Sequence, residues 1–204
     1  MKLRFPFFLC AALLAVPAVV PALAQSPDEL LSPPSDLPRA GPGETTYSLD
    51  TLFAALKIAP DDASARAIEN RIWAVWIESG SDTCDLLMTR VKDAIEEKDY
   101  DLAIRLLDSI IAIRPNYVEA WNQRATVYYL KDDYARAIAD IAEVLAREPR
   151  QFGALAGLGL MLQDIGDDKH ALEAYRKALA IDPRLENIPD VVKTLSEKVE
   201  GRDI

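Results

Sequence analysis

Residues 84–185 repeat every 34 residues without a gap, which restricts the chain to architectures that stack one small unit on the next. Aligning 84–117, 118–151 and 152–185 places Asp99, Asp133 and Asp167 at one position and Ala103, Ala137 and Ala171 at a second. Ala112, Ala146 and Ala180 share a third position, and Pro115, Pro149 and Pro183 a fourth. Large apolar residues recur as Leu87, Trp121 and Leu155, then Leu107, Ile141 and Tyr175, then Ile111, Leu145 and Leu179. They fall on helical spacing in two runs per unit. The shared Asp opens the second helix as an N-cap, accepting backbone N–H bonds that would otherwise be orphaned. The first shared Ala marks the closest approach of two antiparallel helices, where a larger side chain would force them apart. Val91, Ala125 and Gly159 supply a further small contact on the first helix. The Pro ends the second helix and starts the turn into the next unit.

These units resemble tetratricopeptide repeats (TPR). The middle one carries Val118, Glu119, Ala120 and Trp121, then Tyr128, Ala137 and Pro149, and the third carries Leu155, Leu158, Gly159, Ala171, Tyr175 and Pro183. The likeness covers half of the chain. It departs at Arg90 and Arg124, where the family usually has Leu, and at Ala94, where it has an aromatic. The resemblance implies an all-α fold, a right-handed α-solenoid of antiparallel helix pairs with three TPR units. It also implies a concave peptide-binding groove lined by first-helix residues: Met88 and Lys92; Glu119, Asn122, Gln123, Thr126 and Tyr129; and Ala156, Gly157 and Leu160. At the centre, Asn122, Gln123, Thr126 and Tyr129 are expected to bond to a peptide backbone. Asn122 and Tyr129 are further expected to lie outside the interlocking set of Trp121, Tyr128 and Ala137. Some relatives clamp a peptide's terminal carboxylate with paired Lys and Asn side chains. The matching positions here are Met88, Lys92, Gln123, Gly153 and Gly157, of which only Lys92 is a cation, so that clamp is not expected.

The flanks also read as helices. Residues 48–59 and 62–79 form apolar stripes that stop at Pro60 and Gly80, and 47–83 is expected to be a degenerate helical hairpin capping the stack upstream. Trp73 and Trp76 lie three apart on an apolar helix, which is core spacing before it is a carbohydrate platform. At the other end, within 186–204, Val191, Val192, Leu195 and Val199 form one stripe with Lys193, Glu197 and Lys198 off it. This is the expected C-terminal capping helix, because a terminal repeat would otherwise show water its apolar face.

The first 24 residues read as a signal peptide. Lys2 and Arg4 precede an apolar run from Phe5 to Val20, and Ala22 and Ala24 are the small residues read by a signal peptidase, predicting a cut between Ala24 and Gln25. Residues 25–46 hold five Pro and two Gly with few apolar side chains, the composition of a disordered linker. Cleavage would remove two cations and no acid, taking the formal charge of −10 to −12. Only Cys84 would then remain, so no intrachain disulfide is expected, and burial as a small hydrophobe is its expected role.

An acidic chain without a basic run repels nucleic-acid phosphates and anionic lipid, and the field is compatible with a basic polypeptide partner. One His and two Cys do not make a structural zinc site, and the acidic turns lack alternating calcium-loop spacing. No cofactor, metal or catalytic residue is expected, and no constellation of an enzyme is present; His170 is expected on a solvated surface. The expected function is that of a periplasmic scaffold, binding a polypeptide in cell-envelope assembly or maintenance. The alternative is a periplasmic holdase for an apo-client or secreted subunit, and a third reading, ranked below both, is a small hydrolase or transferase with a cryptic site.

Overall fold

A computed structural model describes residues 48–201; the expected signal peptide, its cleavage site and the Pro-rich linker lie outside them. The described residues form nine helices: α1 (Leu49–Lys57), α2 (Asp62–Ile77), α3 (Asp82–Glu96), α4 (Tyr100–Ile113), α5 (Val118–Leu130), α6 (Tyr134–Arg147), α7 (Phe152–Asp164), α8 (Asp168–Ile181) and α9 (Ile188–Val199). The pairs α3/α4, α5/α6 and α7/α8 are the three repeats, stacked in sequence order as an α-solenoid of helix pairs.

The turn inside each repeat is built by two adjacent residues. Lys98, Asp132 and Gly166 take a left-handed φ of +59°, +58° and +84°, which lets the next residue reach back. The N–H groups of Asp99, Asp133 and Asp167 then bond to the carbonyls of Ala94, Tyr128 and Leu162 at 2.8, 2.9 and 2.8 Å, closing the first helix. The same three Asp side chains cap the second helix, accepting from Leu102, Arg136 and His170 N–H at 3.0, 3.1 and 3.3 Å. One aspartate thus ends one helix and begins the next. The turn between repeats is opened by Arg114, Glu148 and Asp182, whose ψ of +75°, +91° and +96° keeps them out of the helical region that a following Pro disfavours.

Ala103, Ala137 and Ala171 are all fully buried at the helix crossings. At Gly159 the approach is closer still: a Cβ there would stand 2.6 Å from the Tyr175 ring. Cys84 is buried in the first core cluster, with Val91, Ala103 and Leu107. The departure at Arg124 is compensated by a stack of cations and rings. Its guanidinium sits 4.8 Å from the Trp121 ring centroid and forks onto Asp140 at 2.8 Å through both Nε and Nη2. Its third nitrogen reaches Asp108 at 2.6 Å, tying the first repeat to the second. At the C-terminal end α9 lies on α8 and buries Ile188 and Leu195.

The N-terminal hairpin forms, but it does not extend the stack upstream. Its core of Leu52, Phe53, Leu56, Ile72, Trp73 and Trp76 closes on Phe152, Ile181 and Leu185 of the third repeat. The reason is written on the first repeat. Ala120 and Val127 are fully buried against the repeat before theirs, and so are Ala154 and Met161. The equivalent residues of the first repeat are Leu86 and Asp93, both exposed, the former at 59%. A carboxylate in place of Val127 or Met161 solvates that end, so the stack needs no cover there.

Candidate polypeptide-binding face

The face expected to bind a peptide is carried by the first helices α3, α5 and α7. Met88, Gln123 and Leu160 are half-buried on it, and Lys92 is exposed, 4.0 Å from Glu96. Glu119, Asn122, Thr126, Tyr129, Ala156 and Gly157 are buried. The structure links four of them. Gln123 Nε2 donates to Glu119 Oε1 at 2.7 Å, Asn122 Nδ2 to Glu119 Oε2 at 3.3 Å, and Thr126 Oγ1 to the Asn122 carbonyl at 3.1 Å. Burial pushes the Glu119 carboxyl up to about 7, against the two amide donors that favour its charged form.

Two expectations are corrected here. Tyr129 belongs to the core: it packs with Ala125, Ala137, Ile141 and Met161, meets Tyr134 edge-on with ring centroids 5.8 Å apart, and donates to Asp164 Oδ2 at 2.6 Å. Asn122 is fully buried as well, so neither side chain is a removable wall of an open groove. The reach of a Tyr at that position, across to α6 and α7, is set by tertiary packing and leaves no mark in the 34-residue period.

Beside this face, on the inter-repeat turns and the starts of α5 and α7, the repeats already hold a polypeptide, the chain's own hairpin. Helix α2 crosses the inter-repeat turns in reverse order. Its start lies by the turn after α8, where Arg66 pairs with Glu186 at 3.1 Å. Its middle lies on α7: the Trp73 ring sits where a Cβ on Gly153 would come within 2.9 Å of it, so glycine is what admits the indole. Its end lies by α5, where the Tyr117 hydroxyl donates to the Ile77 carbonyl at 2.8 Å. Trp73 and Trp76 both pack on Phe152, with centroids 5.9 and 5.4 Å away, and on each other at 5.2 Å.

Two arginines clasp the hairpin from the repeats. Arg150 lies 4.4 Å from the Phe53 ring centroid and bonds to Asp50 at 2.6 Å. Arg184 bonds to the carbonyls of Ala59 and Pro60 at 3.2 and 3.0 Å and to Asp62 at 2.6 Å, gripping the turn between α1 and α2. These contacts were missed in the sequence, although a signal exists: each arginine follows a shared proline, Pro149 or Pro183, where the first repeat has Asn116. The expected core role of Trp73 and Trp76 holds, and His170 is exposed beside its cap residue Asp167. Among the described residues no cluster of His, Cys, Asp or Glu could hold a metal ion, and no helix is long and apolar enough to cross a membrane.

Comparison with known proteins bears on the repeats. A family profile described as tetratricopeptide repeat matches residues 94–158, and a second of the same description matches 152–185. A TPR repeat-containing protein of Rhizobium etli is 41% identical over 153 residues, which are 75% of this chain and 75% of that protein. The first TPR of Spaghetti (RPAP3), solved bound to the HSP90 peptide SRMEEVD, aligns with a TM-score of 0.55 at 18% identity, over 59% of this chain and 95% of that one. The Sgt2 TPR domain from Aspergillus fumigatus aligns with a TM-score of 0.54 at 25% identity, over 59% of this chain and 81% of the other.

Proposed function

Because the chain belongs to the tetratricopeptide-repeat family, whose members mediate protein–protein interactions, we propose that it is a non-catalytic module binding a polypeptide segment on its first-helix face. The observation that carries this reading is the hairpin itself. A surface that seats helix α2 by an indole on Gly153, two arginine clasps and a carbonyl-directed tyrosine has the chemistry to hold backbone and aromatic side chains of another chain. The half-buried strip of Met88, Gln123 and Leu160, with Lys92 beside it, extends that surface along α3, α5 and α7.

The place of action is the periplasm, supported by the leader-like residues 1–24, and the role is that of a scaffold in envelope assembly or maintenance. A terminal-carboxylate clamp is not part of it, since Lys92 is the single cation of that set. The test is crosslinking in the native envelope followed by capture of the full-length protein, wild type beside Lys92→Glu/Gln123→Ala. Lys92 is exposed and Gln123 half-buried with a bond to Glu119, so circular dichroism first checks that the variant keeps its fold; partner recovery should then drop by at least roughly tenfold, equivalent to about 1.4 kcal/mol. Equal recovery at matched abundance would move the binding site off this face. N-terminal sequencing of exported material should begin at Gln25; an intact Met1 in a membrane fraction would remove the periplasmic assignment.

A further inference from the structure

The contact between hairpin and repeats contains one arrangement that neither packing nor ion pairing explains. Glu69, on α2 one turn after Arg66, lies within hydrogen-bonding reach of Asp182, the C-cap of α8. Asp182 is fully buried. Its Oδ1 accepts the Arg184 backbone N–H at 3.0 Å, and its Oδ2 has no N–H or O–H donor among the described residues. Asp182 is out of water and Glu69 is half-buried beside it, so the two facing carboxyls cannot both ionise without repulsion in a medium that screens it poorly. A proton held between them removes the repulsion and supplies the donor that Oδ2 lacks.

The surrounding charges do not offer another remedy. From α2 itself, Arg66 faces Glu69 but is drawn to Glu186, which adds a third negative charge. From the turn after α8, Arg184 sends its guanidinium away to Asp62 and the carbonyls of the hairpin turn. From the next inter-repeat turn, Arg150 is taken up by Asp50 and Glu148. At the far end of α2 the ionisable neighbours are Tyr117 with Glu119 and Asp85. The hairpin joins the repeats through a short hinge, residues 78–81, in which Gly80 takes a left-handed φ of +64°.

We propose that the α1–α2 hairpin is a proton-held cover of the inter-repeat turns and the start of α7, released when the Glu69–Asp182 pair loses its shared proton. That the uncovered surface then receives another polypeptide rests on the function proposed above; the release does not. Burial and the facing Asp182 carboxylate push Glu69 upward, to about 8, and burial raises Asp182 as well. A carboxyl raised in the docked state stabilises docking fully below the ordinary carboxylate range. That stabilisation drains away as pH climbs, reaching its floor above about 8. One linked proton changes the docking equilibrium by up to about tenfold per pH unit.

The experiment is hydrogen exchange on the full chain without any partner, from pH 6 to 9, corrected for intrinsic exchange rates. Wild type should lose protection in 62–77 progressively as pH rises, by up to about tenfold per unit toward pH 8, while α5 to α8 stay protected. Glu69→Gln and Asp182→Asn, which keep a hydrogen bond and remove the second charge, should hold that protection flat. Should either amide disturb folding by circular dichroism, Glu69→Lys gives the same readout by setting a cation against Asp182, and it should keep the hairpin docked at pH 9. A flat wild-type profile overturns the proposal, as does an unchanged slope in the folded variants. In the envelope capture experiment, wild type should recover more partner at pH 8.5 than at pH 6, and Glu69→Gln should not. Loss of the capture effect with the exchange result intact sinks the binding reading alone.

Discussion

The repeat body and the hairpin are both helical pairs with aromatic and aliphatic cores, yet they are held by different kinds of interaction. In the body each helix packs on its neighbours in sequence, and the same residues return at each turn: an aspartate that closes and opens helices, an alanine at the crossing, a proline after the cap. The hairpin is held by contacts that reach far along the chain, from Asp50 to Arg150 and from Asp62 to Arg184, and by one indole on one glycine. Local, repeated interfaces spread stability over many small contributions, whereas a single long-range docking site concentrates it.

Removing the indole breaks that contrast most directly. Trp73→Ala deletes the side chain that bridges Phe152 and Trp76, and truncation of a buried Trp costs roughly 3–5 kcal/mol. The expected outcome is loss of hydrogen-exchange protection confined to 48–77, with the melting of the repeats little changed; a melt lowered throughout would make the hairpin part of the repeat core. The reverse test is Ala137→Leu at a fully buried crossing, where overpacking costs about 1–3 kcal/mol. Here the thermal midpoint should fall and protection should drop in both neighbouring repeats.

Glu119 gives a smaller effect with a sign. Its carboxyl is raised by burial to about 7, so the native state gains full stability below the ordinary carboxylate range and loses it as pH rises toward 7. Glu119→Gln should therefore be more stable than wild type at pH 8 by roughly 1–2 kcal/mol and no better at pH 4. Urea midpoints at the two pH values decide it. Smallest is the repair of the left-handed turns: Lys98→Gly and Asp132→Gly place at those positions the residue that the third repeat has in Gly166. A left-handed φ crowds the Cβ of any other residue against the backbone, and glycine is free of that clash. Each change should raise stability by about 0.5–1 kcal/mol, seen as a higher thermal midpoint. An unchanged or lower midpoint would mean that the Lys98 and Asp132 side chains offset the clash.

Much of the body was legible in the residues. The three caps, the buried crossings, the glycine under Tyr175 and the burial of Cys84 all follow from side chains that have one job at one position in a period. The hairpin's helices were legible too, from their apolar stripes and stop residues. Its docking place was not, because Arg150 and Arg184 meet it across a hundred residues or more and such pairs have no period to betray them. The exposed Asp93, set against buried Val127 and Met161, was the available clue that the upstream end is solvated. The candidate face was read less well: Tyr129 and Asn122 were placed by repeat position, and burial depends on what packs beside them.

Periodicity, capping residues and crossing alanines therefore suffice to dictate the stack of helix pairs, since each acts on neighbours within one or two units. Where the helical hairpin at the N-terminus comes to rest is decided in three dimensions. An amphipathic hairpin has several apolar surfaces to choose from, and the energy difference among them depends on the shape of one site: an absent side chain at Gly153, and two arginines aimed at one hairpin.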